Sequence, residues 1–209
     1  MAAILNNLRN TIILGLVLAV VMLFCFGRLS PHGFNDMAYW QAVLRWMHVV
    51  FGILWIGLLY YFNFVQARKM PDIPAELKPA ISKYIAPEAL FWFRWAALFT
   101  VLAGLGIIGL RETVIKGYAA GVFTLGFAAP PEQLKPYALL GIGVYLAIIM
   151  FLNVWGIIWP NQKRALGIVE ADAETKAKSA RIAGLASRVN TLLSLPMLTS
   201  MAMYQTLFG

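Results

Sequence analysis

The chain has 209 residues, of which 61% are hydrophobic and only 12% are charged, and its mean hydropathy is +0.73. Soluble domains carry about 25% charged residues, so this composition excludes an ordinary soluble protein and predicts an all-α, polytopic membrane protein whose first partner is the lipid bilayer. The net charge of +8 does not indicate nucleic-acid binding, because the basic residues lie between the apolar stretches, where they set membrane topology.

Apolar stretches of about 20 residues, the length that crosses a bilayer, recur along the chain. They predict a five-helix transmembrane bundle that forms a single domain over residues 1–209. The first stretch has no small-residue cleavage site, so we expect it to be retained as an anchor helix. The predicted spans are about 10–28, 39–66, 88–110, 136–159 and 184–208.

Two connecting segments differ in kind. Residues 112–135 are rich in glycine and apolar, which predicts a half-buried interfacial loop and not a further span. Residues 160–183 are polar and rich in helix formers, which predicts a cytoplasmic loop containing a short surface helix.

The distribution of Lys and Arg predicts the orientation. Ten of these residues lie on the side of the N-terminus and four on the other side, when those at or inside the span ends are left aside. Because cytoplasmic loops carry the excess of basic residues, the N-terminus is expected inside and the C-terminus outside.

One face of the second predicted span carries the candidate chemistry. Arg45, His48, Gly52 and Trp55 follow each other at spacings of three and four, so a helix places them on one face. Ionisable groups inside a bilayer normally face the interior of the bundle. A neutral imidazole is a common haem ligand, Gly52 leaves room for a flat macrocycle, Trp55 can pack against its edge, and Arg45 can pair with a propionate.

Two interpretations of His48 remain open at this point. In the first, His48 only forms a hydrogen bond to a neighbouring helix, and no cofactor is bound. In the second, His48 ligates a haem iron; His32, the other histidine, lies in the first outer loop, so a second ligand would be Met, Lys, water or His32 folded back. Metal sites built from Cys and His clusters are excluded, and no catalytic residue is predicted.

Further polar side chains lie in the last two predicted spans, and we interpret them as structural. Asn153, Asn190 and Arg188 are the main ones. Polar side chains in membrane helices usually form hydrogen bonds between helices.

Four blocks of the sequence resemble the membrane domain of the bacterial urate hydroxylases, the urate oxidase N-terminal family. They are RWMHVVFGILWIGLLYYF at 45–62, KYIAPEALFWFRW at 83–95, NVWGIIWPNQKR at 153–164 and SRVNTLLSLPML at 187–198. The resemblance implies a multi-pass redox protein of the bacterial inner membrane. The chain is expected to be a short form of the family, without its C-terminal cytochrome c domain.

The chain departs from the pattern of the family inside these blocks. Phe91, Ala96 and Val189 stand where the family usually has His, Glu and His. Such groups would move protons or bind a metal during urate oxidation, so their replacement argues against urate chemistry. The sequence therefore predicts an accessory subunit of a respiratory or other redox complex, associated with other membrane subunits. The alternative is a haem-binding electron-transfer or oxidase subunit that exchanges electrons with a periplasmic cytochrome; a transporter is a third, weaker hypothesis.

Overall fold

The computed structural model describes residues 2–31 and 33–208, and each regular element in this part of the chain is helical. The prediction of an all-α protein is therefore confirmed. The main helices are α1 (Leu8–Leu29), α2 (Met37–Tyr60), α3 (Ala86–Val114), α4 (Tyr118–Phe123), α5 (Leu134–Asn153), α6 (Trp159–Ala165) and α7 (Ala173–Phe208). Short α-helical turns lie at Ala2–Leu5, Ala67–Lys69 and Lys78–Ala80, 3₁₀ turns at Gly33–Asn35, Met70–Asp72 and Pro131–Gln133, and π-helical turns at Tyr61–Gln66, Ile81–Ile85 and Val154–Ile158.

Within the described ranges, four helical segments are long and apolar enough to cross a membrane: Leu8–Leu29, Met37–Asp72, Lys78–Val114 and Pro131–Ala165. They coincide with the first four predicted spans, and they make the chain a multi-pass membrane protein. The predicted fifth span, 184–208, lies within α7 but does not reach the same hydropathy, and it stays a prediction.

The lower hydropathy of α7 has a structural reason, since its buried face is partly polar. Four of its eight buried residues carry a hydroxyl or amide on a small side chain. The eight recur at spacings of three and four, as one face of a helix requires. They are Ser179, Ala183, Ala186, Asn190, Ser194, Met197, Ser200 and Tyr204.

The sequence predicts a loop with a separate surface helix over residues 160–183, and the structure differs from this prediction. Its helix-prone part forms the first turns of α7, which then continues to Phe208. Asp172 begins this helix by accepting a hydrogen bond from the backbone N–H of Thr175 at 2.8 Å, as an N-cap residue does. No proline stands between this cap and the start of the apolar part, and the polar turns and the apolar part form one helix.

The glycine-rich segment 112–135 contains the short helix α4, which packs against α5. Tyr118 and Val122 of α4 are buried. A side chain at Gly141 of α5 would collide with the backbone carbonyl of Val122, so the glycine is needed for this close approach. The segment therefore has ordered contacts with the bundle.

The bundle consists of two antiparallel helix pairs. Helix α2 packs along α3, and α5 packs along α7. At one end the pairs meet in a hydrophobic cluster, here called the core half, which includes Trp55, Leu59, Phe93, Met150 and Val154. At the other end, here called the cavity half, they diverge, and that end is closed by a second cluster that contains Ile108 of α3, Tyr118 and Val122 of α4, and Tyr204 of α7.

Helix α1 lies apart from these pairs. Only 6% of its most apolar window is buried. It is attached through its last turns: the hydroxyl of Tyr39 donates to the Leu23 carbonyl at 3.1 Å, and Gly27 lies directly against the Phe34 ring. The rest of its apolar surface is available to lipid.

Candidate functional site: a cavity between the helix pairs

A cavity of about 570 Å³ lies between the two helix pairs in the cavity half. Its volume falls in the range of roughly 300–1,000 Å³ that is usual for cofactor and ligand sites. Arg45, His48, Gly52 and Trp55 all line it. The structure therefore brings the four residues of the predicted α2 face together around one space inside the bundle.

The imidazole of His48 is held against α3. Its Nδ1 lies 2.8 Å from the backbone carbonyl oxygen of Thr100. A carbonyl can only accept, so Nδ1 carries a proton, and in the neutral imidazole Nε2 then keeps its lone pair. Nε2 has no hydrogen-bond partner among the described residues, and this is the tautomer in which metal-ligating histidines are usually held.

Gly104 of α3 allows the His48 ring to lie at this position. A Cβ atom at Gly104 would lie 3.0 Å from Cε1 and 3.1 Å from Nδ1 of His48. Contacts this short would push the ring away from α3 and lengthen the hydrogen bond to Thr100. The orientation of the imidazole therefore depends on two residues of the neighbouring helix.

Gly52 has a different role, because helix packing does not require it. A Cβ atom there would meet only Cγ2 of Thr100, at an ordinary contact distance of 3.8 Å. The volume that a side chain at Gly52 would occupy belongs to the cavity. Next to it, Trp55 is 1% exposed, and its indole N–H has no acceptor in the described part of the chain.

Two arginines line a cavity whose walls are otherwise mostly apolar. They are Arg45 of α2 and Arg111 of α3. The described residues contain one ion pair, between Lys69 and Asp72, so neither arginine is paired with a carboxylate. The cavity therefore carries two uncompensated positive charges.

Arg111 is one of the four basic residues that the topology prediction assigns to the outer side. The signal that could have placed it is its spacing from Gly104, since seven residues are two helical turns and return to the same face. Nothing in the sequence, however, identified Gly104 as the neighbour of His48. Tyr118 and Tyr204, which contact Arg111, were likewise not singled out.

The predicted structural polar residues lie outside the cavity. The Nδ2 amide of Asn153 donates to the Ala186 carbonyl at 2.8 Å and to Oδ1 of Asn190 at 2.7 Å. Asn190 is fully buried, and its own Nδ2 donates to the Met150 carbonyl at 3.0 Å. These bonds join α5 to α7 in the core half, whereas Arg188 lies exposed on α7.

Carboxylate and histidine clusters do not occur in the described ranges, where no group of three or more His, Cys, Asp or Glu side chains could hold a metal ion. Phe91 and Val189 lie exposed on the helix surface, and Ala96 is buried in the core half. None of these three lines the cavity.

The fold and the span lengths define the chain as an all-helical, multi-pass membrane protein. The sequence model of the urate oxidase N-terminal family matches residues 123–208, from the end of α4 to the end of α7, and this match confirms the predicted resemblance to that family. It includes the third and fourth blocks quoted above, whereas His48 and its face of α2 lie outside the matched range. No curated protein and no solved structure matches the chain.

Proposed function

We propose that the protein is a membrane subunit of a redox complex and that it holds a haem in the cavity, with His48 as an axial ligand of the iron. The observation that carries this proposal is the hydrogen bond from Nδ1 of His48 to the Thr100 carbonyl, which in the neutral imidazole leaves Nε2 unprotonated beside the cavity and without a partner among the described residues. Bound haem would supply one-electron transfer within the membrane.

Several residues fit the requirements of a macrocycle. His48 offers a neutral nitrogen ligand in a fixed orientation. Gly52 leaves the space for a flat ring, and Trp55 lines the cavity beside it. Arg45 supplies a positive charge for an acidic group on the same ligand.

Two methionines of α7 could supply a second ligand to a bound haem. The side chains of Met197 and Met201 line the cavity, and a methionine thioether is a common partner of histidine on haem iron. His32, the other histidine of the chain, lies outside the described residues. We therefore propose a thioether as the second ligand.

The wider setting of the subunit is part of the same proposal. The match to the urate oxidase N-terminal family supports a redox protein, and the family resemblance implies the bacterial inner membrane. The absence of the family's usual His, Glu and His at Phe91, Ala96 and Val189 supports a role without urate chemistry. Other membrane subunits, and a periplasmic cytochrome as electron partner, would complete the electron path.

The test is a visible spectrum of the purified full chain in detergent, oxidised and after reduction with dithionite. We expect a Soret band in the wild type, its loss in His48→Ala, and its return when imidazole is added to His48→Gly. Met47→Ala, one residue away and outside the cavity lining, is the control and should keep the band. A Soret band that is unchanged in His48→Ala would rule out the ligand assignment, and a wild type without any haem would rule out the proposal.

A further inference from the structure

The closed end of the cavity contains a polar cluster of three side chains. Nη1 of Arg111 lies 3.3 Å from the hydroxyl oxygen of Tyr204, and the hydroxyls of Tyr204 and Tyr118 are 3.0 Å apart. The guanidinium carbon of Arg111 lies 5.4 Å from the centroid of the Tyr118 ring, within the range of a cation–π contact. Both tyrosines are buried, at 3% and 7% exposure, so the guanidinium is held by a rigid support.

The donors of this cluster exceed its acceptors. A guanidinium has five N–H groups, and one of those of Arg111 is directed to Tyr204. Among the described residues, the neighbouring Glu112 forms no ion pair with Arg111; its carboxylate accepts from the backbone N–H groups of Gly117 at 2.9 Å and Ala119 at 2.8 Å. Burial raises the pKa of the Tyr118 phenol well above its usual range, so this hydroxyl remains protonated at neutral pH.

The helix register places Arg45 and Arg111 toward the same end of the cavity. Gly104 faces His48, and Gly106 faces Leu44. The two helices are therefore antiparallel, and the C-terminal part of α3, which contains Arg111, lies beside the N-terminal part of α2. Arg111 follows Gly104 by seven residues, which is about 10 Å along the helix axis, and Arg45 precedes His48 by about 4.5 Å. Both charges therefore lie on the same side of the imidazole, and Gly52 and Trp55 lie on the other.

We infer that Arg111, supported by Tyr118 and Tyr204, is a carboxylate-binding subsite, and that the ligand of the cavity is a flat apolar molecule with two acidic groups on one edge. Arg45 binds one acidic group and Arg111 binds the other. Both arginines are half-buried beside apolar walls, so a ligand carboxylate could form charge-assisted hydrogen bonds with them while its apolar body fills the remaining space. The inference rests on the proposed function for the choice of ligand, a macrocyclic dicarboxylate.

The test compares two ligands and several full-length variants in detergent. The haem-free chain is titrated with iron protoporphyrin IX, which has two carboxylates, and with its dimethyl ester, which has none. We expect the wild type to bind the diacid more tightly, and Arg111→Gln to weaken diacid binding by roughly 10- to 100-fold while leaving ester binding within about threefold, as expected for lost hydrogen bonds to a charged group. Arg45→Gln should have a similar effect, and Arg28→Gln on α1, outside the cavity lining, should have none.

Two further measurements keep the test decisive if Arg111→Gln folds poorly. Tyr204→Phe removes only the hydroxyl that supports Arg111 and should weaken diacid binding selectively. The ratio of diacid to ester affinity in the wild type needs no variant at all. Equal binding of the two ligands by the wild type would overturn the dicarboxylate inference and leave the haem proposal standing, whereas binding of neither ligand would overturn the proposed function itself.

Discussion

The core half and the cavity half of the bundle are built from the same four long helices but contain different kinds of polar group. In the core half, the Nδ2 amide of Asn153 donates to Oδ1 of Asn190, and both amides also donate to helix carbonyls, so they join α5 to α7. In the cavity half, Arg45 and Arg111 lack carboxylate partners, and Nε2 of His48 is not engaged by any described residue. Under the proposed function, the core half stabilises the fold and the cavity half receives the ligand.

Among substitutions that keep the side chains proposed to contact the haem, the largest loss of haem affinity is expected at Gly52. Gly52→Leu should weaken haem binding by about 10- to 100-fold, because overpacking costs about 1–3 kcal/mol when the side chain occupies space the ligand needs. The melting temperature of the haem-free protein should hardly change, since a Cβ atom at Gly52 makes only an ordinary contact. Soret titration and thermal unfolding in detergent measure the two quantities.

Gly109 of α3 provides the matched control for Gly52. It is exposed, lies outside the cavity lining, and has open space around an added Cβ atom. Gly109→Leu should therefore leave both haem binding and melting unchanged. Equal haem binding by Gly52→Leu and Gly109→Leu would show that the cavity is not the ligand site.

Substitutions in the core half should lower the stability of the protein without changing its affinity for haem. The double variant Asn153→Leu with Asn190→Leu removes three hydrogen bonds between α5 and α7. Each such bond contributes ~0.6 kcal/mol in membrane helices, so the free energy of unfolding should fall by about 2 kcal/mol. Unfolding in sodium dodecyl sulfate measures this change. The affinity of the folded variant for haem should remain that of the wild type, and a large loss of affinity would show that the two halves are coupled.

The smallest expected effect is a local change in helix stability at the start of α7, outside both halves. Asp172 accepts from the backbone N–H and the hydroxyl of Thr175, and these hydrogen bonds lower the pKa of the carboxyl group. The contribution of this cap is therefore fully present above the ordinary aspartate pKa of about 3.9 and is lost as the pH falls through the lower folded-state value. Hydrogen exchange at the Thr175 amide, corrected for its intrinsic pH dependence, should show reduced protection at the acidic end.

Asp172→Ala is the control for this pH dependence. Its Thr175 amide should exchange faster at neutral pH and show no further loss of protection on acidification. The same pH profile in Asp172→Ala and in the wild type would mean that another group is responsible. Haem binding should be equal in both proteins at neutral pH.

Local patterns in the sequence were sufficient for part of this structure. The apolar stretches predicted the first four membrane helices, because the bilayer sets their length whatever their neighbours are. The spacing of Arg45, His48, Gly52 and Trp55 predicted one helix face, and all four line one cavity. These features follow from helix geometry within a single segment, so no knowledge of partners was needed.

Contacts between segments decided the remainder. The Thr100 carbonyl that orients His48, the Gly104 that receives its ring, and the position of Arg111 beside Tyr118 and Tyr204 depend on how α2, α3, α4 and α7 align. The single long helix α7, in place of a surface helix and a separate span, depends on the cap at Asp172 and on a partly polar face that packs against α5 and also bonds to α2 and α4. Helix periodicity shows which residues share a face, but the register between helices is set by side-chain packing over the whole bundle, and only the folded chain contains that information.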